Sequence, residues 1–518
     1  MKPWSARQEV ASDLREDQRK YVDGTGISPN GRRASTLNKI VRPGEEKLCE
    51  NLKEAIRKSG LKDGMTVSFH HHFRGGDYIL NNVVAELAEL GFENLTVAAS
   101  SFSTVHAPII EHIEAGVVKQ IHTSGLRGEL AEAVSSGIMN EPVVFRSHGG
   151  RARAIESGDL HIDVAFLGVS SADSYGNANG IKGDTICGSL GYALVDAEFA
   201  DQVVLITDNM VDYPNMPASI TQQQVDFIVP VEQIGDPNKI STGATRFTKN
   251  PKDLLIAKKA AELIKSSEYF KDGFSFQTGS GGAALAVTRF LKAHMEKENI
   301  KAKFALGGIT GPMVELHEEG FIEHLFDVQC FDLAAAQSIG RNMNHHEITA
   351  SQYANLHTKG CVTNKLDVVI LSALEIDKEF NVNVMTASDG VIMGASGGHS
   401  DTAASAKMTI VVAPLMRGRI PTVVGQVQTV ITPGSCVDVL VTDRGVAVNP
   451  DRKDLVSSFE NAGIDIIPIE TLIETAEKIV GKPAEIPYTD KVVGVVEYRD
   501  GTWMDVIYGV DRKRHSNS

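Results

Sequence analysis

Short apolar runs alternate with segments of helical spacing along most of this chain. Between residues 45 and 60, Leu48, Leu52, Ala55 and Ile56 recur at helical intervals and Gly60 supplies a stop. The apolar runs are GMTVSFHH, NLTVAAS, HIDVAFLGV, QVVLITD, KFALGG, LDVVILSAL, KMTIVVAPL and CVDVLVTD. Continuous runs of Val, Ile and Leu between helices are typical of parallel strands covered on both faces. The pattern therefore predicts an α/β fold with open sheets.

The chain has 518 residues, which is too long for one hydrophobic core. Residues 1–40 show no sustained periodicity and are predicted to be an N-terminal extension outside the first core. Pro217, Pro230 and Pro237 lie among turn residues ahead of the next long helix. We therefore predict a first domain over residues 41–240 and a second domain, with a C-terminal tail, over residues 241–518.

Two pairs of similar segments indicate an internal duplication. Residues 68–77 and 275–284 each place a short strand before a Gly pair, and a helical stretch follows in both. Residues 164–180 and 368–384 each run from an apolar strand into an acidic turn with two Asn residues. The offsets, 207 and 204 residues, nearly agree. A duplicated α/β unit explains both pairs.

Composition and charge narrow the function classes. Hydrophobic residues make up 42% and charged residues 23%, as in an ordinary globular protein. The net charge of -15 gives no general attraction to nucleic acid or to anionic lipid. The apolar runs are too short to span a membrane and the N-terminus is too charged for a secretory signal, so we expect a cytoplasmic protein.

The five cysteines are scattered and never show C-x-x-C spacing, which favours reduced thiols over disulfides or a structural zinc site. Cys361, four residues after His357, could act as a nucleophile, but no catalytic cysteine signature surrounds it. A buried structural role for Cys361 is the favoured interpretation.

Two glycine-rich loops are the strongest candidates for chemistry. Gly279, Ser280, Gly281 and Gly282 lie between a strand and a helix, where backbone N–H groups can hold a phosphate or an oxyanion. The loop is neither a P-loop nor a G-x-G-x-x-G fingerprint. A second loop, with Gly394, Ser396, Gly397 and Gly398, would let a ligand approach the main chain closely. A simple tight turn is the alternative for each.

Carboxylates and basic side chains supply further candidates. Glu375 and Asp377 follow an apolar strand, where open parallel sheets bind ligands, and either could orient a substrate, act as acid or base, or simply cap a turn. His70, His71 and His72 are adjacent in a strand and point to opposite faces, so they are not expected to form a metal site. We expect no metal elsewhere either.

Substrate contact is the more plausible role for His70 and His71, together with Arg74 and its neighbours Gly75 and Gly76. Arg417 and Arg419 could present forked donors to carboxylates, or could lie in a solvated loop.

Six longer stretches fit one known family as a set: HHHFRGGD, SHGGRARAIESGDLHIDVAFLG, FQTGSGGAALAVTRFL, SALEIDKEFNVNVMT, GASGGHSDTA and VDVLVTDRGVAVNP. Over residues 45–510 the chain resembles the alpha subunits of citrate lyase, which are citrate CoA-transferases. The resemblance implies two tandem CoA-transferase-like domains. It also implies an exchange in which citrate replaces acetate on a thioester, giving a citryl thioester and free acetate.

The same resemblance implies the cofactor and the partners. The thiol would belong to a CoA-like prosthetic group on a small acyl-carrier (gamma) subunit, and a lyase (beta) subunit would cleave the citryl thioester. The chain itself would then hold no permanent cofactor and would work in an oligomeric complex with citrate and acetate as its small-molecule ligands.

The resemblance also bears on mechanism. Related acetyl-CoA transferases carry a nucleophilic Glu in an L-G-x-H-T-E pattern, whereas this chain reads LGGITGPMVELHEEG and aligns Thr310 with the Thr and Gly311 with the Glu. Glu315 lies four residues later and would need a shift of about one helical turn, ~5–6 Å. We therefore expect a ternary mechanism in which a citrate carboxylate attacks the thioester and no acyl-enzyme forms.

In that mechanism the amides of Gly279, Gly281 and Gly282 would be the oxyanion donors, and Glu375 would orient reacting groups. Ser396, Gly397 and Gly398, with Asn383, would contact the thioester arm. Citrate would bind to side chains and backbone of the set His70, His71, Arg74, Gly75, Gly76, Arg417 and Arg419.

Three alternatives remain open at the level of sequence. One is an acyl-carrier transferase for another acid, such as the alpha subunit of malonate decarboxylase. The second is a free-CoA transferase or hydrolase that works through a covalent Glu, and the third is a non-catalytic scaffold subunit.

Overall fold

The structure, a computed structural model, describes residues 1–15, 19–23, 29, 31–241, 248–279 and 281–511. It contains a nine-stranded and an eight-stranded sheet, each built mainly of parallel strands between helices. This confirms the predicted α/β class. Within the described ranges, no helix is both long enough and apolar enough to cross a bilayer.

The first half of the chain contributes seven α-helices and ten strands to the described structure. The helices are α1 Trp4–Asp13, α2 Leu52–Ser59, α3 Ile79–Glu89, α4 Ile109–Glu114, α5 Gly128–Ser135, α6 His148–Ser157 and α7 Ala193–Phe199. The strands are β1 Thr66–Phe69, β2 Leu95–Ala99, β3 Val118–Thr123, β4 Val143–Phe145, β5 Val164–Gly168, β6 Ser171–Asp173, β7 Ala178–Asn179, β8 Gln202–Thr207, β9 Met210–Val211 and β10 Phe227–Pro230.

The second half continues the alternation. Its helices are α8 Pro251–Lys265, α9 Gly282–Glu298, α10 Gly311–Glu318, α11 Leu333–Ile339, α12 Ala350–Ala354, α13 His399–Ala403, α14 Lys453–Asn461 and α15 Ile469–Val480. Its strands are β11 Phe274–Thr278, β12 Ala302–Ile309, β13 Ile322–Cys330, β14 His345–Glu347, β15 Val368–Ser372, β16 Glu375–Asp377, β17 Val382–Asn383, β18 Met408–Val412, β19 Met416–Arg417, β20 Ile420–Pro421, β21 Val423–Val424, β22 Val439–Val441, β23 Val446–Val448, β24 Tyr488–Glu497 and β25 Trp503–Val510.

The predicted duplication is confirmed by the strand order. The first sheet runs β10, β8, β5, β1, β2, β3, β4, and the second runs β22, β18, β15, β11, β12, β13, β14, so equivalent strands occupy equivalent places. Each half also has a small three-stranded sheet. Ser171 pairs with Asn179 in one and Glu375 with Asn383 in the other, at the offset of 204 residues seen in the sequence.

The two ends of the chain meet on the first sheet. Strand β24 pairs in parallel with β4, and β25 forms the outer edge beside it. Helix α1 packs against β25, where Ala11, Val144, Trp503 and Val506 share an apolar cluster. The domain limits at residues 40 and 240 stay a prediction, while strand pairing attaches residues 488–510 to the sheet of the first half.

The halves share an apolar interface that fixes their strand ends relative to each other. The main core of the first half continues into the second through buried Leu306, Val328, Ile348 and Tyr353. A hydrogen bond from the His148 amide to the Gly397 carbonyl, 2.8 Å, crosses the same boundary. The carboxyl ends of the central strands therefore face a common cleft, which is where open parallel sheets bind ligands.

Candidate active site

One cavity of about 730 Å³ occupies that cleft and takes its walls from both halves. It lies beyond the ends of β1, β3 and β4 in the first sheet and of β11, β12 and β15 in the second. Its polar and glycine lining comprises His71, Arg74, Ser101, Ser103, Ser124, Arg127, His148 and Tyr192 from the first half, and Gln277, Thr278, Gly279, Gly281, Gly308, Gln329, Tyr353, Ser372, Gly394, Ser396, Gly397, Gly398, His399 and Arg417 from the second.

The charge of this lining is one-sided. Arg74, Arg127 and Arg417 face the cavity, and of the described residues that line it none carries a carboxylate. Burial lowers the pKa of Arg74 to about 10, so its guanidinium is still cationic at neutral pH. Burial also lowers the pKa of Arg127 and of Arg417. Arg74 is half-buried and the other two are exposed, and a cluster of cations held without a carboxylate partner attracts a multiply charged anion.

The arginines are held by backbone and ring contacts. Arg74 donates from Nη2 to the Cys330 carbonyl at 3.0 Å, and its guanidinium lies 4.6 Å from the centre of the Phe331 ring. Arg417 donates from Nη1 to the Leu374 carbonyl at 3.1 Å. Arg127 is positioned by the start of α5, where it occupies the N-cap. Partners of this kind orient the guanidinium groups without neutralising them.

Three stacked rings form one wall beside the arginines. The His71 ring lies 5.6 Å from His148 and 5.1 Å from Tyr192, centre to centre, and its Nδ1 lies 2.6 Å from Ser100 Oγ. Burial, with help from nearby positive charge, lowers the pKa of His71 well below its usual range and that of His148 to about 3. Both rings are therefore neutral at neutral pH and can serve as hydrogen-bonding groups.

The other predicted residues around Arg74 lie outside the cavity. His70 is buried with its Nε2 3.0 Å from Asp196, whose carboxylate also accepts two hydrogen bonds from Arg151. Gly75 is exposed, and a Cβ at Gly76 would lie 2.7 Å from the Asp236 carbonyl. His71 and Arg74 therefore line the cavity. His70, Gly75 and Gly76 are not among its lining residues.

The first glycine loop begins helix α9. Gly281 is the N-cap and Gly282 the first helical residue, where backbone N–H groups have no partner within the helix. A Cβ at Gly281 would lie 2.4 Å from Ser372 Oγ, so a side chain there would displace the cavity wall. The Gly279 amide donates to the Ile370 carbonyl at 2.8 Å, which narrows the candidate oxyanion donors to Gly281 and Gly282. Ser280 lies outside the described residues.

The second glycine loop ties the two halves together at the cavity. The Ser396 amide donates to the Ser124 carbonyl at 2.8 Å, and the Gly397 backbone adopts a φ of +54°. A Cβ at Gly398 would lie 2.3 Å from the Tyr353 hydroxyl. Because these glycines have no side chains, the main chain itself forms this wall, and a narrow ligand can approach it closely.

Glu375 and Asn383 lie behind the wall. Glu375 Oε2 accepts hydrogen bonds from the Gln428 amide at 2.9 Å and from Asn383 Nδ2 at 2.8 Å, and only 4% of the residue is exposed. Asn383 Oδ1 in turn accepts from the amides of Met385 and Thr386. These two residues therefore hold the segment after β17, which reaches the cavity at Met393. Arg419 is exposed in the turn between β19 and β20 and is not among the lining residues.

The environment of Glu375 makes stability depend on pH. Burial raises the pKa of Glu375 from 4.5 to about 7, so the folded protein binds this proton more tightly than the unfolded chain does. As pH rises from 4.5 to about 7, ionisation of Glu375 therefore lowers the free energy of unfolding by up to ~3 kcal/mol. Glu375→Gln should be increasingly stabilising relative to the parent between about pH 5 and pH 8. Urea unfolding at both pH values checks this; a difference that does not vary with pH would contradict it.

Two other nucleophile candidates are not at the cavity. Cys361 is buried, with its Sγ 3.2 Å from Thr363 Oγ1, and it does not line the cleft. Glu315 is exposed on α10 and lines a separate groove with Lys292 and Glu319. Gly311, which aligns with the nucleophile of related enzymes, donates its amide to Asp332 at 2.7 Å.

Three residues at the cavity or in its support were not among the residues predicted for the site. Arg127 and His148 each follow a parallel strand, β3 and β4, and that position was the signal available for them. Asp401 caps helix α6 from the opposite half by accepting from Ser147 Oγ at 2.7 Å and from the Gly149 amide at 2.8 Å. This carboxylate fixes the helix that carries His148, and no local pattern reveals it.

Comparisons with known proteins identify the family of the chain. The family model of the citrate lyase alpha subunit matches residues 45–510. The citrate lyase alpha chain of Haemophilus influenzae is 62% identical over 466 residues, covering 90% of this chain and 93% of the relative.

Two solved structures add to these matches. One is the putative alpha subunit of citrate lyase from Streptococcus mutans, in complex with citrate; it is 56% identical with a TM-score of 0.94, covering 96% of this chain and 98% of that one. The malonate decarboxylase alpha subunit from Acinetobacter baumannii shares the fold at a TM-score of 0.63 and 14% identity, covering 84% of this chain and 88% of that one.

Proposed function

The chain belongs to the family of citrate lyase alpha subunits, and on that premise we propose that it exchanges acetate for citrate on an acyl-carrier thioester. The observation that supports this best is the cavity with Arg74, Arg127 and Arg417 and, among its described lining residues, no carboxylate. Such a site suits an acid with several charges better than acetate alone. The neutral rings of His71 and His148 add hydrogen-bonding groups for a hydroxyl or a further carboxylate.

The proposed reaction proceeds in two acyl transfers. A carboxylate oxygen of citrate bonds to the acetyl carbonyl carbon, and the thiolate leaves, which gives a mixed anhydride of citrate and acetate. The thiolate then attacks the citryl carbonyl and releases acetate, so that atoms and charge balance. Citrate carboxylates are ionised near neutral pH, so the attack requires no general base.

The protein's contribution to this chemistry is orientation and charge stabilisation. The arginines hold citrate in place, which lowers the entropic part of the barrier. Gly281 lines the cleft and Gly282 follows it as the first residue of α9; their amides can donate to a developing oxyanion, a contribution of about 3 kcal/mol for each well-placed donor. The positive end of the helix dipole adds to the same effect.

We also propose how the thioester reaches the cavity. As an alpha subunit, the chain works with other subunits, and the thioester is presented on the CoA-like prosthetic group of a carrier (gamma) subunit while a lyase (beta) subunit cleaves the product. The cleft suits a thin flexible arm, because Gly281, Gly397 and Gly398 border it without side chains of their own. The chain then needs no permanent cofactor of its own.

A trapping experiment separates this mechanism from one with a covalent Glu. Incubation with the acetylated carrier alone should release no acetate, because the attacking group is citrate itself. An enzyme with a nucleophilic Glu would release about one equivalent per site under the same conditions. Borohydride or hydroxylamine treatment followed by peptide mass spectrometry should leave every Glu, including Glu315, unmodified. A labelled Glu would refute the ternary mechanism, and addition of citrate provides the positive control.

A further inference from the structure

The N-terminal extension places a charged side chain in a fully buried setting. The Arg7 guanidinium in α1 donates from Nε and Nη2 to the two carboxylate oxygens of Asp505 in β25, at 2.7 and 2.9 Å. The two side chains are 1% and 0% exposed. A bidentate pair at this depth contrasts with the other end of the extension, where Leu37 and Ile40 are exposed. The role of this pair follows from the other contacts of Asp505.

Asp505 is one of three buried carboxylates that fix a single segment of chain. Asp505 Oδ2 accepts from the Val430 amide at 2.8 Å, Glu375 accepts from Gln428 at 2.9 Å, and Asp377 accepts from Val427 at 3.3 Å. Arg7 pairs directly with Asp505, and its positive charge also acts on Asp377 and Glu375. Without it, three acids would share a buried site with less compensation.

The fixed segment is linked to the cavity wall by continuous hydrogen bonds. Glu375 accepts from Asn383, Asn383 accepts from the Met385 amide, and the Met385 carbonyl accepts from the amides of Met393 and Gly394 at 2.9 and 3.0 Å. A second link joins the hydroxyls of Thr386 and Thr429 at 3.0 Å.

The path ends at the catalytic cleft. Met393 and Gly394 line the cavity, and the Gly394 carbonyl accepts from the Leu126 amide, next to Arg127, at 3.2 Å.

We propose that Arg7 is a positioning residue for acyl exchange: through Asp505 and the segment 427–430 it fixes residues 383–394, which form the wall of the cavity beside the second glycine loop. Helix α1 then contributes to the geometry of the active site, although it is far in the sequence from residues 383–394. The kinetic part of this proposal rests on the proposed function, whereas its structural part does not.

The test compares Arg7→Met with the double variant Arg7→Met/Asp505→Asn. The single variant leaves Asp505 buried without its cation and should lower kcat about tenfold or more. KM for citrate should stay within about threefold, because Arg74 and Arg417 are held by carbonyls outside residues 383–394. Hydrogen exchange at residues 383–394 and 427–430 should quicken about tenfold. The double variant removes both charges and keeps an acceptor for the Val430 amide, so it should recover most of the kcat.

Arg153→Met is the control for loss of a buried arginine. Arg153 is 2% exposed and pairs with fully buried Glu497 at 2.7 Å; Glu497 keeps Arg146 as a second partner and accepts no hydrogen bond from residues 427–430. Arg153→Met should destabilise the protein without a selective increase in amide hydrogen exchange at residues 383–394. The proposal is overturned if Arg7→Met leaves kcat and this exchange unchanged. It is equally overturned if exchange rises uniformly over both sheets as in the control, or if the double variant recovers nothing. Were the parent enzyme to transfer no acyl group, the proposed function would fail, and hydrogen exchange alone would still decide the role of Arg7.

Discussion

Gly281→Val should reduce the kcat for acetyl–citrate exchange by about 10²–10³, the loss expected when an oxyanion donor is displaced. The new Cβ would lie 2.4 Å from Ser372 Oγ and 3.3 Å from Ser372 Cβ, so the Ser372 side chain or the N-cap of α9 has to shift; because Val adds two branches beyond this Cβ, we expect the N-cap to move. Movement of the N-cap carries the Gly281 and Gly282 amides with it. Steady-state kinetics with the acetylated carrier and citrate measure the effect, and gel filtration of the complex reports whether assembly is intact.

A rescue and a control make this test specific. In Gly281→Ala the clash involves the Ser372 hydroxyl, whereas the Ser372 Cβ lies at 3.3 Å, so adding Ser372→Ala should restore part of the lost activity. Gly425→Val is the control, because a Cβ at Gly425 meets nothing within 4 Å and the residue is exposed. If Gly281→Val assembled normally and exchanged acyl groups at the parental rate, the active site would lie elsewhere or the subunit would be a scaffold.

The fold was largely predictable because its signals are local. Buried parallel strands read as continuous apolar runs, and the duplication left two segment pairs at nearly equal offsets, which the matching strand orders bear out. The attachment of residues 488–510 to the first sheet was not predictable, since β24 pairs with β4 across most of the chain. Pairing at such a separation depends on the completed sheet rather than on any nearby residues.

The site was predictable where function constrains the backbone. The glycine loops stood out because close approach to the main chain excludes side chains, and Gly281, Gly394, Gly397 and Gly398 all reach the cavity. Side-chain direction was harder to predict. Glu375 follows β15 in sequence, yet its pairing with Asn383 in the small sheet turns its carboxylate behind the wall. A single Arg in a loop, such as Arg127, is marked only by its place after a parallel strand, which solvated residues share.

Arg127→Met should lower kcat/KM for citrate by about 10²–10³, with most of the effect in KM. Arg127 is exposed in the open cleft, and no described lining residue offers a carboxylate that would compete for it, so citrate would lose one of its three arginine partners. Loss of one charge-assisted pair that citrate buries when it binds costs ~3–4 kcal/mol, which corresponds to this range. Kinetics over a citrate series, with saturating acetylated carrier, measure the change. Arg127→Lys keeps the charge but loses the forked geometry, so its KM should lie between those of the parent and Arg127→Met.

The choice of acid makes the same variant a test of specificity. Citrate offers three carboxylates to Arg74, Arg127 and Arg417, whereas malonate offers two, so the parent should transfer to citrate far better than to malonate. Removal of Arg127 should shrink that preference, because the third carboxylate loses its partner while the other two keep theirs. Arg341→Met, at an exposed residue outside the cavity lining, should leave both acids unaffected. Two results would contradict this explanation of specificity: a parent enzyme that uses malonate and not citrate, or an Arg127→Met variant whose preference for citrate is unaltered. Either would show that these arginines do not distinguish acids by their number of carboxylates.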